Sequence, residues 1–459
     1  MSAMAGTVMT DPAVSALAAA SPVLVAATGA NTGAAGFLAR YEASKGGLPG
    51  DSTLRAAAAQ AFKVQGLPGA TRGRLPEAWK YTSLRPLADV PFRSPARSVP
   101  VSVLPRGVWP EGDHPRLVFA NGQYRVDLSR GVAGFASFAD APDFGELSWP
   151  DRDPMVALNT MLAEDGMMLT IPAGEDLDLV YLTHIGADGA SAHPRHLIRL
   201  ERGARLTLIE TSLGQGRYLQ NPVMEIHVAE GATLTHVRLQ EDDAAAFHLA
   251  TIYAAIASGG TYDHFTLNMG AALTRTEIHA SLDGPGATAH LNGAQLLRGT
   301  QHADFTSVVR HAAPKGVSRQ TVKNVLDGRS RGVFQGRIEV ARGAQGTDGY
   351  QMNRALLLSA DAEIDTKPEL EIFADDVKCS HGATIGALDA EQLFYLRSRG
   401  IPDAEARSLL VRAFLAEAFD PVTNDTARGL LEDAVTRWWD GQRTEGQGGA
   451  GQSGRSQAA

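Results

Sequence analysis

Cysteine is nearly absent: the 459 residues include one, Cys379. A disulfide needs a pair, so none can close within the chain. Sites built from several thiolates of one polypeptide are excluded with it. Basic residues are in the minority, 42 Lys and Arg against 51 Asp and Glu, giving a net charge of −9 with no basic block. Proteins bind phosphate backbones by displacing counterions with Lys and Arg, so nucleic acid is not an expected partner. No apolar run reaches the roughly 18 residues a membrane helix needs, so no membrane span is expected. The first basic residue is Arg40. The Ala-rich start therefore lacks the positive segment of a signal peptide, and the cytoplasm is the expected compartment. G-x-x-x-x-G-K-[ST], C-x-x-C and H-E-x-x-H are all missing, and without the first no ATP site is expected in this chain. Aromatics make up only 6%, which suits thin layers packed with Val, Leu, Ile and Ala.

Glycine, by contrast, is abundant, at 48 residues. Without a collagen-like period it signals many tight turns between short strands. Residues 1–34 are Ala-rich, nearly uncharged and expected to be disordered. Residues 35–165 read as a helical and mixed region. Helices are expected from Ala35 to Gly46 and from Ser52 to Gly66, with Ser52 capping the second. Another follows Asp153 as cap and Pro154 at its first position, closed by Asp165-Gly166. Residues 166–386 change period. Apolar residues alternate, as in Leu206-Thr207-Leu208-Ile209, and no helix is evident across the region. That excludes folds that need a helix after each strand.

A repeat runs through this region. Gly203-Ala204-Arg205-Leu206-Thr207 recurs at Gly231, Gly259 and Gly286, each a glycine corner followed by a strand-like run. A fixed step of this kind suits a β-solenoid, in which each coil pairs with the next; a β-sandwich with chance similarity is the alternative. The fold class expected is mainly β, a parallel β-helix core flanked by N- and C-terminal helical regions. Residues 387–440 return to the helical period. One helix runs from Asp389 to Arg399, a second begins near Asp403, and a third spans about Thr426 to Trp439. In the second, Val411, Leu415 and Phe419 form an apolar seam that suits either a partner helix or the chain's own domain. Residues 441–459 are Gly/Gln/Ser-rich and expected to be disordered.

Two constellations could carry chemistry. His236 and His264 hold the same place in adjacent repeats. They read as a surface ladder one coil apart, with a metal pair as the alternative. The other is Lys378-Cys379-Ser380-His381-Gly382-Ala383-Thr384. On a strand, side chains two apart face the same way, so Cys379 and His381 would project together and Lys378 to the other side. Thiolate and imidazole suit iron and zinc. A buried cysteine beside a satisfied histidine fits the same spacing.

At this motif the chain resembles the SufB/SufD family, its SufD branch in particular. The likeness is continuous from Gln351-Met352-Asn353 through Leu356-Leu357-Leu358-Ser359, Ala362-Glu363-Ile364-Asp365-Thr366-Lys367-Pro368-Glu369-Leu370-Glu371-Ile372 and Lys378-Cys379-Ser380-His381-Gly382-Ala383-Thr384 to Glu391-Gln392-Leu393-Phe394-Tyr395-Leu396-Arg397-Ser398-Arg399-Gly400-Ile401. Weaker likeness extends it over about residues 35–440. The single cysteine and the Cys-Ser-His-Gly form favour the SufD branch, since a Glu-His-Glu-Ala-Thr-Thr segment stands there in SufB.

The resemblance implies a right-handed β-helix, and a non-catalytic scaffold subunit for iron–sulfur cluster assembly. The partners it implies are a SufB-type sister scaffold and a SufC-type ATPase held by the C-terminal helices. A homodimer of the isolated chain is also possible. It assigns His381, with Cys379, to a nascent iron–sulfur cluster shared with SufB at the junction of the two β-helices. Rival readings are a purely structural subunit that holds SufC, a carbohydrate-active β-helix enzyme, and a nucleophilic enzyme built on Cys379.

Overall fold

The computed structural model describes residues 33–70, 75–94, 109, 114–140 and 142–449. The expected disorder of residues 1–32 and 450–459 lies outside them. The core is a parallel β-solenoid of about eight turns. It is built from two facing sheets of ten and eleven strands. The repeat is its coil. Arg205–Gln215, Thr233–Glu241, Thr261–Asn268 and Thr288–Leu297 lie side by side in parallel register in one sheet. The glycine before each turns the corner with φ of 70°, 66°, 62° and 71° at Gly203, Gly231, Gly259 and Gly286. Side chains with a Cβ rarely adopt these values, which is why glycine recurs there.

Alternate residues point inward, so the space between the sheets fills with stacked aliphatics such as Leu182, Leu206, Leu208, Ile226, Ile252 and Ile278. The outward faces of both sheets are covered in turn. The N-terminal helices Gly33–Ser44, Ser52–Gln65 and Pro154–Leu162 pack Phe37, Phe62, Leu158 and Met161 against Phe247, Leu249 and Leu273 of the second sheet. Asp153 caps the third of these helices as expected, but Asp51, not Ser52, caps the second, its carboxylate accepting from the Thr53 N–H. The C-terminal helices cover the first sheet. Val411, Leu415 and Phe419 are buried against Phe265, Leu267, Leu296 and Val325. This corrects the partner-helix reading of that seam: it closes the chain's own core. Two further anchors hold the Asp403–Phe419 helix down. The buried Lys323 ammonium donates to the Phe414 carbonyl and, at 2.7 Å, to Glu417, which also takes Arg354 at 3.1 Å. The last helix runs Asp425–Gly449, past the end expected at Trp439 and through residues expected to be disordered.

His236 and His264 are in register on adjacent strands, as their spacing predicts, but they are buried rather than on the surface. Both point into the solenoid, where a polar cluster interrupts the aliphatic core. Burial works to protonate Glu210, but Arg238 and His236 hold its pKa well below the usual range, so it accepts only. His236 Nε2 therefore donates to it at 3.0 Å. That leaves His236 Nδ1 to accept from Tyr262, whose oxygen takes His264 Nδ1–H, while His264 Nε2 accepts from Thr266. The positions read as surface because Thr235 and Asp263 beside them are polar as well, so the alternation carries no inside–outside contrast.

Candidate functional site

The solenoid ends in one open coil. Among the described residues its two strands, Glu363–Ile372 in one sheet and Val377–Gly386 in the other, each pair on one side only, with Arg331–Val340 and Thr347–Leu357. The other edge of each strand offers free backbone groups, a ready template for another strand. The two edges differ. Glu363–Ile372 carries Pro368 at its middle, which lacks an N–H, between Asp365, Lys367, Glu369 and Glu371. Proline and charge are the usual shields of an edge strand. Val377–Gly386 has neither a proline nor an alternating charge pattern. Ile372, Phe373 and Ile385 expose apolar surface beside it.

Cys379 and His381 lie on this unshielded strand, on the face that points toward the solenoid axis, with Lys378 on the opposite face. Cys379 is in register with Gly349, and a Cβ placed on Gly349 would sit 3.4 Å from the Cys379 sulfur. The thiol thus occupies room left by a missing side chain, against Ile338, Val340, Ala344 and Ala374. Burial pushes its pKa up. A thiol held protonated, with no base bonded to it, is a poor nucleophile; it becomes a good ligand once a metal displaces its proton. His381 is exposed and stands over Gln351, which is fully buried beneath it. The pair therefore lines the interior of the terminal coil, one member half-buried and the other exposed. Among the described residues no group of three or more His, Cys, Asp or Glu side chains is placed to hold a metal ion.

A second exposed surface lies nearby. The Ala390–Ser398 helix has no buried residue. Phe394 and Tyr395 are 73% and 57% exposed, and with Leu396 and Leu410 they line an apolar hollow. Exposed rings grouped in this way are a common mark of an interaction surface. Sequence reasoning left the apolar seam of the following helix open between a partner and the chain's own domain, and gave Phe394 and Tyr395 no role, because they form no periodic stripe. It also passed over Gly349 and Gln351, whose part is legible only once the register places them under Cys379 and His381.

Residues 183–414 match the family model described as the SufBD core domain of the SUF system for FeS cluster assembly. The chain is 33% identical to the SufBD family protein slr0076 of Synechocystis over 78% of its own length and 86% of that protein's. It is likewise 33% identical to the iron–sulfur cluster assembly protein SufD of Escherichia coli, over 86% and 95%. The chloroplastic protein ABCI7 of Arabidopsis thaliana is 32% identical over 64% of this chain and 63% of that protein.

Proposed function

Because the chain belongs to the SufB/SufD family of iron–sulfur cluster assembly proteins and is of the SufD type, we propose that it is a non-catalytic scaffold subunit that completes a cluster-building site with a sister subunit. The cluster is the cargo of this site. His381 supplies an imidazole and Cys379 a thiolate once its proton is displaced. A cysteine-richer, SufB-type chain supplies the rest by docking on the open coil. The apolar face around Phe394 and Tyr395 holds a SufC-type ATPase. The complex works in the cytoplasm, and the ATP it consumes is bound elsewhere than in this chain.

The observation that carries this reading is the placement of the only thiol and its neighbouring imidazole on an uncovered, unshielded edge strand. A ligand pair serving only this chain would sit among further ligands of the same chain. A partner strand added along Val377–Gly386 would satisfy the free edge, cover Ile385, and bring its own side chains over Cys379 and His381. The raised thiol pKa and the missing base argue against the nucleophilic enzyme.

Co-expression with a SufB-type sister and a SufC-type ATPase tests the reading. The three chains should purify together, and His381→Ala should leave that assembly intact while lowering the cluster formed on reconstitution with iron and sulfide. Normal assembly with normal cluster yield would leave only a subunit that holds the ATPase. Failure of the three chains to associate would remove the scaffold reading altogether.

A further inference from the structure

The terminal coil and the two before it repeat one arrangement across the space between the sheets. Ser307, Gly336 and Pro368 stand in register in one sheet, and Gln320, Gln351 and His381 in the other. Each coil contributes one residue to either column. In the first of the three, the Ser307 hydroxyl donates to Gln320 Oε1 at 2.5 Å, and both residues are buried. Buried polar side chains need such partners. In the second, Gly336 has no side chain to offer, and the Gln351 amide takes the backbone instead. Oriented to satisfy both its ends, its NH2 donates to the Gly336 carbonyl at 3.1 Å and its oxygen accepts from the Ile338 N–H at 3.2 Å. A Cβ on Gly336 would lie 2.7 Å from that amide, so glycine is what admits it.

The third pair breaks the pattern. Proline has no polar side chain and no backbone N–H. Its ring also fills the space that Gly336 leaves open in the coil below. Pro368 shares the inward face of its strand with Thr366, whose hydroxyl takes the Asn353 amide across the interior at 2.7 Å. The strand thus supplies a polar partner two residues away and none opposite His381. Among the described residues His381 has no hydrogen bond, ion pair or ring contact.

We propose that Pro368 is a positioning residue that keeps the His381 imidazole uncommitted, by putting an apolar ring where the two preceding coils bond their polar side chain. Use of the free ring as a cluster ligand rests on the function proposed above. Imidazole Nε2 and a glutamine amide reach about equally far from the backbone. A hydroxyl at position 368 would therefore meet the ring as Ser307 meets Gln320, and an incoming metal would have to break that bond first. Proline also shields the strand edge. Two variants separate the roles: Pro368→Ala restores the N–H alone, whereas Pro368→Ser restores the N–H and adds a hydroxyl.

The test labels the full chain with aquopentaammineruthenium(II), which coordinates accessible imidazole through Nε2, and follows His381 by peptide mass spectrometry. His381 should be labelled in the unaltered chain and at the same rate in Pro368→Ala. In Pro368→Ser labelling should slow roughly two- to tenfold, the equilibrium factor of one net hydrogen bond. Pro368→Thr carries the same expectation on a side chain suited to a strand. The proposal is overturned if His381 resists labelling in the unaltered chain, since the ring would then be engaged. It is overturned equally if the serine and threonine variants react at the unaltered rate, or if Pro368→Ala is slowed as much as Pro368→Ser, which would assign the effect to the strand edge. In the three-chain complex Pro368→Ser should assemble normally and form less cluster. Slow labelling of Pro368→Ser beside a normal cluster yield in His381→Ala would leave the part of Pro368 standing and remove His381 as a ligand, so the two readings fail separately.

Discussion

His381 stands in register with Gln351 on the last paired strand, and its other side carries no strand at all among the described residues. The imidazole is therefore supported from below and open above. A residue in that position contributes little to the fold of the free chain. His381→Ala is expected to change unfolding free energy by less than about 0.5 kcal/mol in urea denaturation, as exposed substitutions usually do. Cys379→Ala removes a half-buried sulfur from Ile338 and Val340 and should cost about 1 kcal/mol. A large loss for His381→Ala would mean that the residue has a structural partner and would weaken its assignment as a ligand.

Phe394 and Tyr395 project from a helix that buries nothing. Replacing both with serine removes apolar surface that no described residue covers. The melting temperature of the isolated chain should hold or rise slightly, while co-purification of a SufC-type ATPase should fail and that of the SufB-type sister should persist. Loss of the sister together with the ATPase would show that the two surfaces are not independent. Retention of the ATPase would move its docking site elsewhere.

The coil was legible in the sequence because a corner that needs positive φ admits glycine almost alone, so Gly203, Gly231, Gly259 and Gly286 keep step wherever the chain turns. The Cys379–His381 pair was legible because strand alternation fixes which residues share a face. What stayed hidden depends on which surface meets which. His236 and His264 sit among polar neighbours on both faces of their strands, so no alternation distinguishes the core from solvent. Val411, Leu415 and Phe419 would look the same facing a partner or the chain's own sheet. Only the apolar outer face of that sheet, with Phe265 and Leu267, decides between them.

Glu417 joins two neighbouring strands to the helix above them, taking Lys323 and Arg354. The two ion pairs differ in exposure: the Lys323 side chain is 2% exposed and that of Arg354 43%. Glu417→Gln leaves the buried ammonium facing a neutral amide, with the Phe414 carbonyl as its remaining strong acceptor. A cost of about 1–2 kcal/mol is expected, below that of a fully buried pair because Glu417 itself meets solvent. Arg354→Gln should cost less than about 0.5 kcal/mol, the usual value of an exposed pair. Chemical denaturation of both variants checks the order, and equal losses would show that burial of Lys323 does not set it.

Acid should unfold this protein early. Burial holds His184 and His311 at about 4 and His193 at about 3, and it pushes His196 and His264 well below their ordinary value. In the unfolded chain these imidazoles titrate near 6.5. Between 6.5 and the folded values the unfolded state binds protons that the folded state refuses, so stability is complete above about pH 6.5 and drains away as pH falls. Each such histidine contributes a slope of up to about 1.4 kcal/mol per pH unit, and five acting together remove on the order of 5 kcal/mol by pH 5.5. Asp242 and Glu210, held low by His248 and Arg238 against their burial, add to the loss at lower pH. Asp153, pushed up to about 6 by burial and by Glu277, works the other way as a single group. Since typical domains have only about 5–15 kcal/mol in hand, thermal melts should fall steeply between pH 7 and 5.5. His311→Gln removes one of the five and should make that fall shallower by about one proton's worth. A melting temperature that stays flat across this interval would mean that the core histidines take up protons in the folded state as readily as in the unfolded chain.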